Sequence, residues 1–494
     1  MAQDLFRKKS LMGIRRAHAA HEAEGANKPG LKKALGFWSL TALGIGCTIG
    51  TGIFVMPGFV AADHAGPAMV VSFLLAALAS ALAAVCYCEL SNLVPASGST
   101  YSYAYVAFGE LVAWLIGWDL LLEYGLANSA VASGWGGYLN QVLRSFGVEI
   151  PVRLLYTPGE MIPGSTELGI FNLPAVLSIA IVTGLLIIGI RESARFNNGL
   201  VLAKLGVLVM FVLLCAPHFN PANMTPFMPH GWSGVMSGAA LLFFVFVGFD
   251  TVSTVAEEAV DPQRNIPRAL LTALSLVAVV YVAVGLTLTG VVPLDQLGPA
   301  KEPLAHALTM LQQPMAAWIL STVAVIGILS VLITGSIGQT RILYVMSRDG
   351  LMPRFMANVN HKTGAPVETT LLLGAITAVL AAAVPLSALA DLVSIGTLAA
   401  FCMVSAGVIV MRRRAPNIER TFRVPWVPVL PIAGIGINLY LMFSLSAFTW
   451  MAFGIWIAIG LVVYFAWSRR SASKVFDPNE EAEPIEPILT GQGP

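Results

Sequence analysis

Apolar residues run through this chain in long blocks separated by short polar stretches, and no block shows the two-residue alternation of a half-buried strand. Windows of about 20 mainly apolar residues, the length an α-helix needs to cross a bilayer's hydrocarbon core, recur twelve times. They lie at 36–63, 67–91, 109–145, 172–190, 196–216, 233–258, 268–292, 315–345, 366–385, 387–411, 428–447 and 450–468. Blocks of this kind predict an all-α polytopic membrane protein of about twelve transmembrane helices, because only a helix satisfies its own backbone in lipid. The ends break the pattern: residues 1–35 and 471–494 are polar and read as cytosolic tails around one transmembrane domain, 36–470.

Composition sharpens this reading. Of the 494 residues 56% are hydrophobic and 11% charged, against about 25% charged in ordinary globular domains. The five cysteines, Cys47, Cys86, Cys88, Cys215 and Cys402, lie in or beside apolar blocks without a CxxC pair, so neither a disulfide framework nor structural zinc is expected. His21-Glu22 lacks the second histidine of a zinc protease motif. No apolar stretch follows the basic N-terminus before Phe37, as a cleavable signal would require.

The net charge of +1 conceals an asymmetry. With the N-terminus cytosolic, twelve crossings place 24 of the 28 Lys and Arg inside and only Arg144, Arg153 and Lys301 outside, with Lys204 within a span. That is the positive-inside pattern, and it predicts both termini in the cytosol of an inner or plasma membrane protein.

Two blocks carry features unsuited to continuous helices. The first contains Gly44, Gly46, Gly50 and Gly52 with Thr48 and Thr51, and glycine costs about 1 kcal/mol in a helix interior. Close helix packing through Gly46 and Gly50 would also account for them. The sixth block carries Phe244-Val245-Phe246-Val247-Gly248-Phe249-Asp250 at mid-span, and interruptions at matching positions of two halves point to an inverted-repeat transporter. Unwinding would free the N–H groups of Gly50, Thr51 and Gly52 at a positive half-helix end, suited to a carboxylate. Freed carbonyls around Phe244, Val245 and Val247 would suit an ammonium group. Together they describe the backbone of a free α-amino acid.

The stretches Gly-Ile-Gly-Cys-Thr-Ile-Gly-Thr-Gly-Ile-Phe (44–54), Gly-Trp-Asp-Leu-Leu-Leu-Glu-Tyr (117–124), Phe-Val-Gly-Phe-Asp (246–250), Gly-Gln-Thr-Arg (338–341) and Ser-Arg-Asp-Gly-Leu (347–351) resemble bacterial homologues of the cationic amino acid transporters. These belong to the amino acid, polyamine and organocation superfamily, and the resemblance spans about residues 35–470. It implies the five-plus-five inverted repeat of a bacterial leucine transporter (repeat one 36–216, repeat two 233–411) followed by two extra helices (428–468). It further implies that Thr48, Thr51 and Gly52 hold the substrate carboxylate, that Phe244, Val245 and Val247 meet the amine, and that Phe244 gates.

A charge at the bilayer centre costs at least about 2.5–3.5 kcal/mol, which makes each one a functional candidate. Lys204 lies about 12 Å along the fifth block from Phe196. Either its ammonium snorkels to the cytosolic interface, or it faces the broken part of the first block and exchanges a proton during transport. The resemblance favours the second, because proton-coupled relatives place a lysine there where sodium-coupled ones bind sodium. Asp119 and Glu123 share one helix face near mid-membrane. Glu123 is a candidate partner for a cationic side chain, and a neighbouring hydroxyl would satisfy it equally well. Compared with relatives that carry methionine in the eighth block, Gly335, between Thr334 and Ser336, leaves room for a long side chain. Asp250, Glu257 and Glu258 are assigned to gate or interface ion pairs, and the last two approach Arg264 and Arg268.

No nucleophile and base pair or metal cluster is evident among the spans, so an enzyme is not expected. A channel's charged rings are also missing. The expected function is import of free L-amino acids, cationic ones first and small neutral ones such as alanine second, by proton symport. Exchange without net proton coupling is the alternative. Partners are substrate, protons and the lipid bilayer, with no nucleic acid and no cofactor beyond the proton gradient. A small accessory membrane subunit is left open.

Overall fold

The computed structural model describes residues 7, 35–94, 98–163, 165–189, 194–255, 259–298, 300–360 and 366–472, and among these residues no strand forms. Helical residues occupy each of the twelve windows. The first window is α1 (Phe37–Thr48) and α2 (Thr51–Val60), the second α3 (Met69–Leu93). After a short α4 (Ser99–Ala107) come α5 (Glu110–Arg144), α6 (Leu173–Ile188) and α7 (Ala194–Cys215). The sixth window holds α8 (Gly231–Phe243) and α9 (Thr251–Thr254), and α10 (Pro262–Val291) fills the seventh. Two connecting helices, α11 (Leu294–Leu297) and α12 (Pro303–Met310), precede α13 (Pro314–Arg348), α14 (Val367–Ala383), α15 (Leu386–Arg414), α16 (Val429–Phe443) and α17 (Ala447–Val463). Among the described residues, seven continuous helical stretches are long and apolar enough to cross a membrane, and four shorter ones, α1, α6, α14 and α16, are also apolar.

Local signals set several ends. Asn172 accepts the N–H of Ala175 and starts α6 with Pro174 in its first turn, and Gly189, at φ +83, closes that helix by reaching back to Leu185 and Leu186. Ser446 caps α17 through the N–H of Thr449. α4, α11 and α12 fall in stretches the hydropathy reading treats as connections, because they are too short to register as spanning blocks.

Packing follows a reciprocal scheme. α1 packs on α10 and α7, and α8 packs on α3 and α15; α5 packs on α13 and α15, and α13 packs in turn on α7. α6 lies against α14, while α16 covers α15 and α3. At one end of the bundle the N–H of Val260 reaches the carbonyl of Leu35, joining the entry of α1 to the stretch after α9.

Two buried glutamates fasten the same end. Glu89, near the end of α3, takes a bidentate bond from Arg412 (Nε–Oε1 2.7 Å, Nη2–Oε2 2.7 Å), a third from Arg420 and a fourth from the N–H of Val424. Glu110, in the first turn of α5, binds Arg7 at 2.6 Å and the hydroxyls of Tyr105 and Tyr464 at 3.2 and 2.9 Å. The expected pairs of Glu257 and Glu258 lie outside the described residues, as do most of both tails.

Candidate functional site

Both interruptions are present where the glycines and the mid-span aspartate place them. α1 stops at Thr48; Ile49 and Gly50 are extended, and α2 starts at Thr51. α8 stops at Phe243, makes one 3-10 turn over Phe244–Phe246, and is extended at Val247. The two breaks touch. A Cβ at Gly52 would lie 2.9 Å from the Cα of Val245, and one at Gly248, whose φ of +111 favours glycine, would lie 2.9 Å from the carbonyl oxygen of Cys47.

Beside this contact is a buried cavity of about 60 Å³. Its wall includes Thr48, Gly50, Thr51, Gly52, Glu123, Phe244, Val247 and Gly335, eight of the residues singled out from the sequence. Val245 does not line it, since its backbone faces Gly52 instead. The donors at one end are backbone N–H groups of the first turn of α2, which have no intrahelical acceptor. The threonine hydroxyls are engaged elsewhere: Thr48 donates to Gly44 at 2.7 Å and Thr51 to Val131 at 2.6 Å. At the other break the Phe244 carbonyl accepts the N–H of Val247 at 3.2 Å and keeps one lone pair.

Lys204 stands behind the cavity rather than in its wall. It is fully buried, and Nζ donates to the carbonyl of Gly46 at 2.9 Å, in the last turn of α1 where a helix end attracts cations. Its stem passes over Gly327, where a Cβ would come within 2.7 Å of Cε. The ammonium is therefore directed into the protein, not toward the interface.

Asp250 departs from its assigned place. It lines the cavity with Glu123 and Thr251, and among the described residues it forms no gate or interface ion pair. Asp119, one turn from Glu123, is buried against Gly396 with neither oxygen hydrogen-bonded, and Glu123 Oε2 is likewise without a hydrogen bond. The room expected at Gly335 is also taken: the Oδ1 of Asn128 occupies the place of a Cβ there. Gly248 also lines the cavity, and Cys47, Tyr124, Ala127, Asn128, Val131, Thr251 and Val331, to which the sequence reading gave no site role, complete the wall. The four-residue spacing of Glu123, Ala127 and Val131 is the signal that could have found the α5 contributors.

The sequence profile of the amino acid permeases matches residues 35–468. The chain belongs to that family. The permease is 46% identical over 466 residues to a methylthioribose transporter of Bacillus subtilis, covering 94% of this chain and 98% of that one. It is 42% identical over 470 residues to a branched-chain amino acid permease of the same organism, covering 95% and 99%. A mitochondrial cationic amino acid transporter of Arabidopsis thaliana is 38% identical over 398 residues, covering 79% of this permease and 64% of the plant protein. These relatives are named as permeases and transporters, not enzymes, and the permease is a polytopic membrane transporter of the same family.

Proposed function

We propose that this permease imports free L-amino acids across the plasma membrane by proton symport with alternating access. The observation that carries the reading is the buried cavity where both breaks meet, with half-helix N–H groups on one wall and open carbonyls and carboxylates on the other. A carboxylate fits the first, an ammonium the second. Gly50, Thr51 and Gly52 hold the carboxylate, and Phe244 and Val247 meet the amine. Lys204, joined to α1 through Gly46, couples the proton to the break.

The charge asymmetry along the chain supports the same reading, with twelve crossings and both termini cytosolic. So does the reciprocal packing, in which α1 on α10 exchanges with α8 on α3, as two inverted five-helix repeats require; α16 and α17 are the extra pair.

For the side chain, short or branched apolar groups come first. Ala127, Val131 and Val331 face the cavity, Asn128 fills the space at Gly335, and a relative 42% identical is named for branched-chain amino acids. A cationic substrate is the second reading, carried by Glu123 and Asp250 in the same wall. The test is uptake of leucine, alanine and arginine into proteoliposomes under an inward proton gradient. Gradient-dependent accumulation of leucine or alanine is expected, and its absence in Lys204→Ala. Arginine uptake that fails selectively in Glu123→Gln would establish the second reading. Uptake that needs only preloaded substrate would replace symport by exchange.

A further inference from the structure

Behind the amino-acid cavity lies a second, smaller chamber of about 20 Å³, enclosed by α5, α6, α13 and α14. Asn128 belongs to both walls. The chamber's lining mixes polar residues, Thr183, Ser336, Gln339, Thr340, Thr370 and Thr377, with the apolar Ile179, Val182, Leu186, Leu332 and Leu373, and holds no charged side chain. Two of its hydroxyls have already committed their protons, Thr340 to Ile337 at 2.9 Å and Thr370 to Pro366 at 2.8 Å, so they offer acceptors inward. The space suffices for about one water molecule.

The partition is thin and lightly held. Asn128 lies against Gly335, where an added Cβ would crowd its Oδ1. Its Nδ2 reaches Gln339 Oε1 at 3.4 Å, at the outer limit of a hydrogen bond.

We propose that Asn128 is a specificity-determining residue, which closes this chamber to the substrate and so limits side-chain length. The ligand class the chamber takes once opened is an amino acid whose long side chain ends in an uncharged hydrogen-bond donor, as in glutamine. A guanidinium or ammonium there would meet no counter-charge, and an aliphatic end would leave the acceptor oxygens of Thr340 and Thr370 unused. The inference rests on the amino-acid reading above and adds the depth of the side-chain end.

The experiment is competition uptake in proteoliposomes, with radiolabelled alanine challenged by glutamine, leucine and arginine. In Asn128→Ala the preference for glutamine over alanine is expected to rise about tenfold or more, the scale on which pocket contacts discriminate. Asn128→Leu, which keeps the volume but not the amide, is expected to hold the wild-type preference. Adding Thr370→Val to Asn128→Ala is expected to remove most of the gain. A preference unchanged in an Asn128→Ala protein that melts as wild type does overturns the inference while leaving the amino-acid reading intact. So does a gain shared equally by arginine. A wild type that takes up none of the panel overturns both. If Asn128→Ala does not fold, Asn128→Ser takes its place with the same expectations at smaller amplitude.

Discussion

Two sets of buried carboxylates in this permease have opposite surroundings. Glu89 and Glu110 sit at the bundle's end saturated with partners: two arginines and a backbone N–H for one, an arginine and two tyrosines for the other. Asp119, Glu123 and Asp250 sit at its centre, and among the described residues none forms an ion pair with a lysine or arginine. A buried charge without a counter-charge is expensive, so the first set is arranged for holding the structure. In the second, Asp119 and Glu123 have oxygens with interactions left to make with something that arrives and departs.

The difference is broken most sharply at Glu89. Glu89→Ala would leave the buried Arg420 and the partly buried Arg412 without their carboxylate, and a loss of about 3–5 kcal/mol is expected, read as a lowered melting temperature in detergent. Glu123→Gln replaces a buried carboxyl that has no basic partner among the described residues and should melt no lower than wild type. Equal melting of Glu89→Ala and wild type would erase the contrast.

Transport sharpens it from the other side. Lys204→Ala is expected to abolish accumulation against a gradient while counterflow between preloaded vesicles persists; accumulation that survives the substitution removes Lys204 from the coupling. Glu123→Gln is expected to change relative uptake of arginine and leucine by about tenfold or more, the scale of a lost charge-assisted contact. Indistinguishable losses for the two substrates would show that Glu123 does not touch the side chain.

The smallest effect lies outside the spans. Glu302, between α11 and α12, has its carboxyl pushed up to about 7, chiefly by burial, with Arg144 and Lys301 opposing. A raised carboxyl stabilises the native form of this connection when protonated. That contribution is full below the ordinary value of 4.5 and is lost as pH rises through about 7. Hydrogen exchange of residues 294–310, corrected for intrinsic rates, should therefore show more opening at about pH 8 than at about pH 5.5, and Glu302→Gln should flatten the difference.

Much of this was legible in the sequence because it rests on what single residue types cost. Glycines within an apolar block, an aspartate in mid-span and a lone lysine are conspicuous against a lipid background, and they mark the two breaks and Lys204. What depends on a neighbour from another helix was not legible. Gly335 signals empty volume along its own chain, yet Asn128 from α5 fills it. Asp250 has the spacing of a gate residue, and the turn after Val247 brings it to the cavity instead. Arg7 sits in a polar tail with nothing to announce a buried glutamate more than a hundred residues away.

The contact between the two breaks has a consequence for how the permease tolerates change. Gly52 and Gly248 each present bare backbone to the opposite break, at separations no β-carbon can share. In a saturation screen for uptake, these two sites should accept almost no replacement, alanine included, although the space there is filled by the protein and not by cargo. Intolerance in such a map would then trace the seam where the two halves of the molecule cross, as well as the place where the nutrient rests.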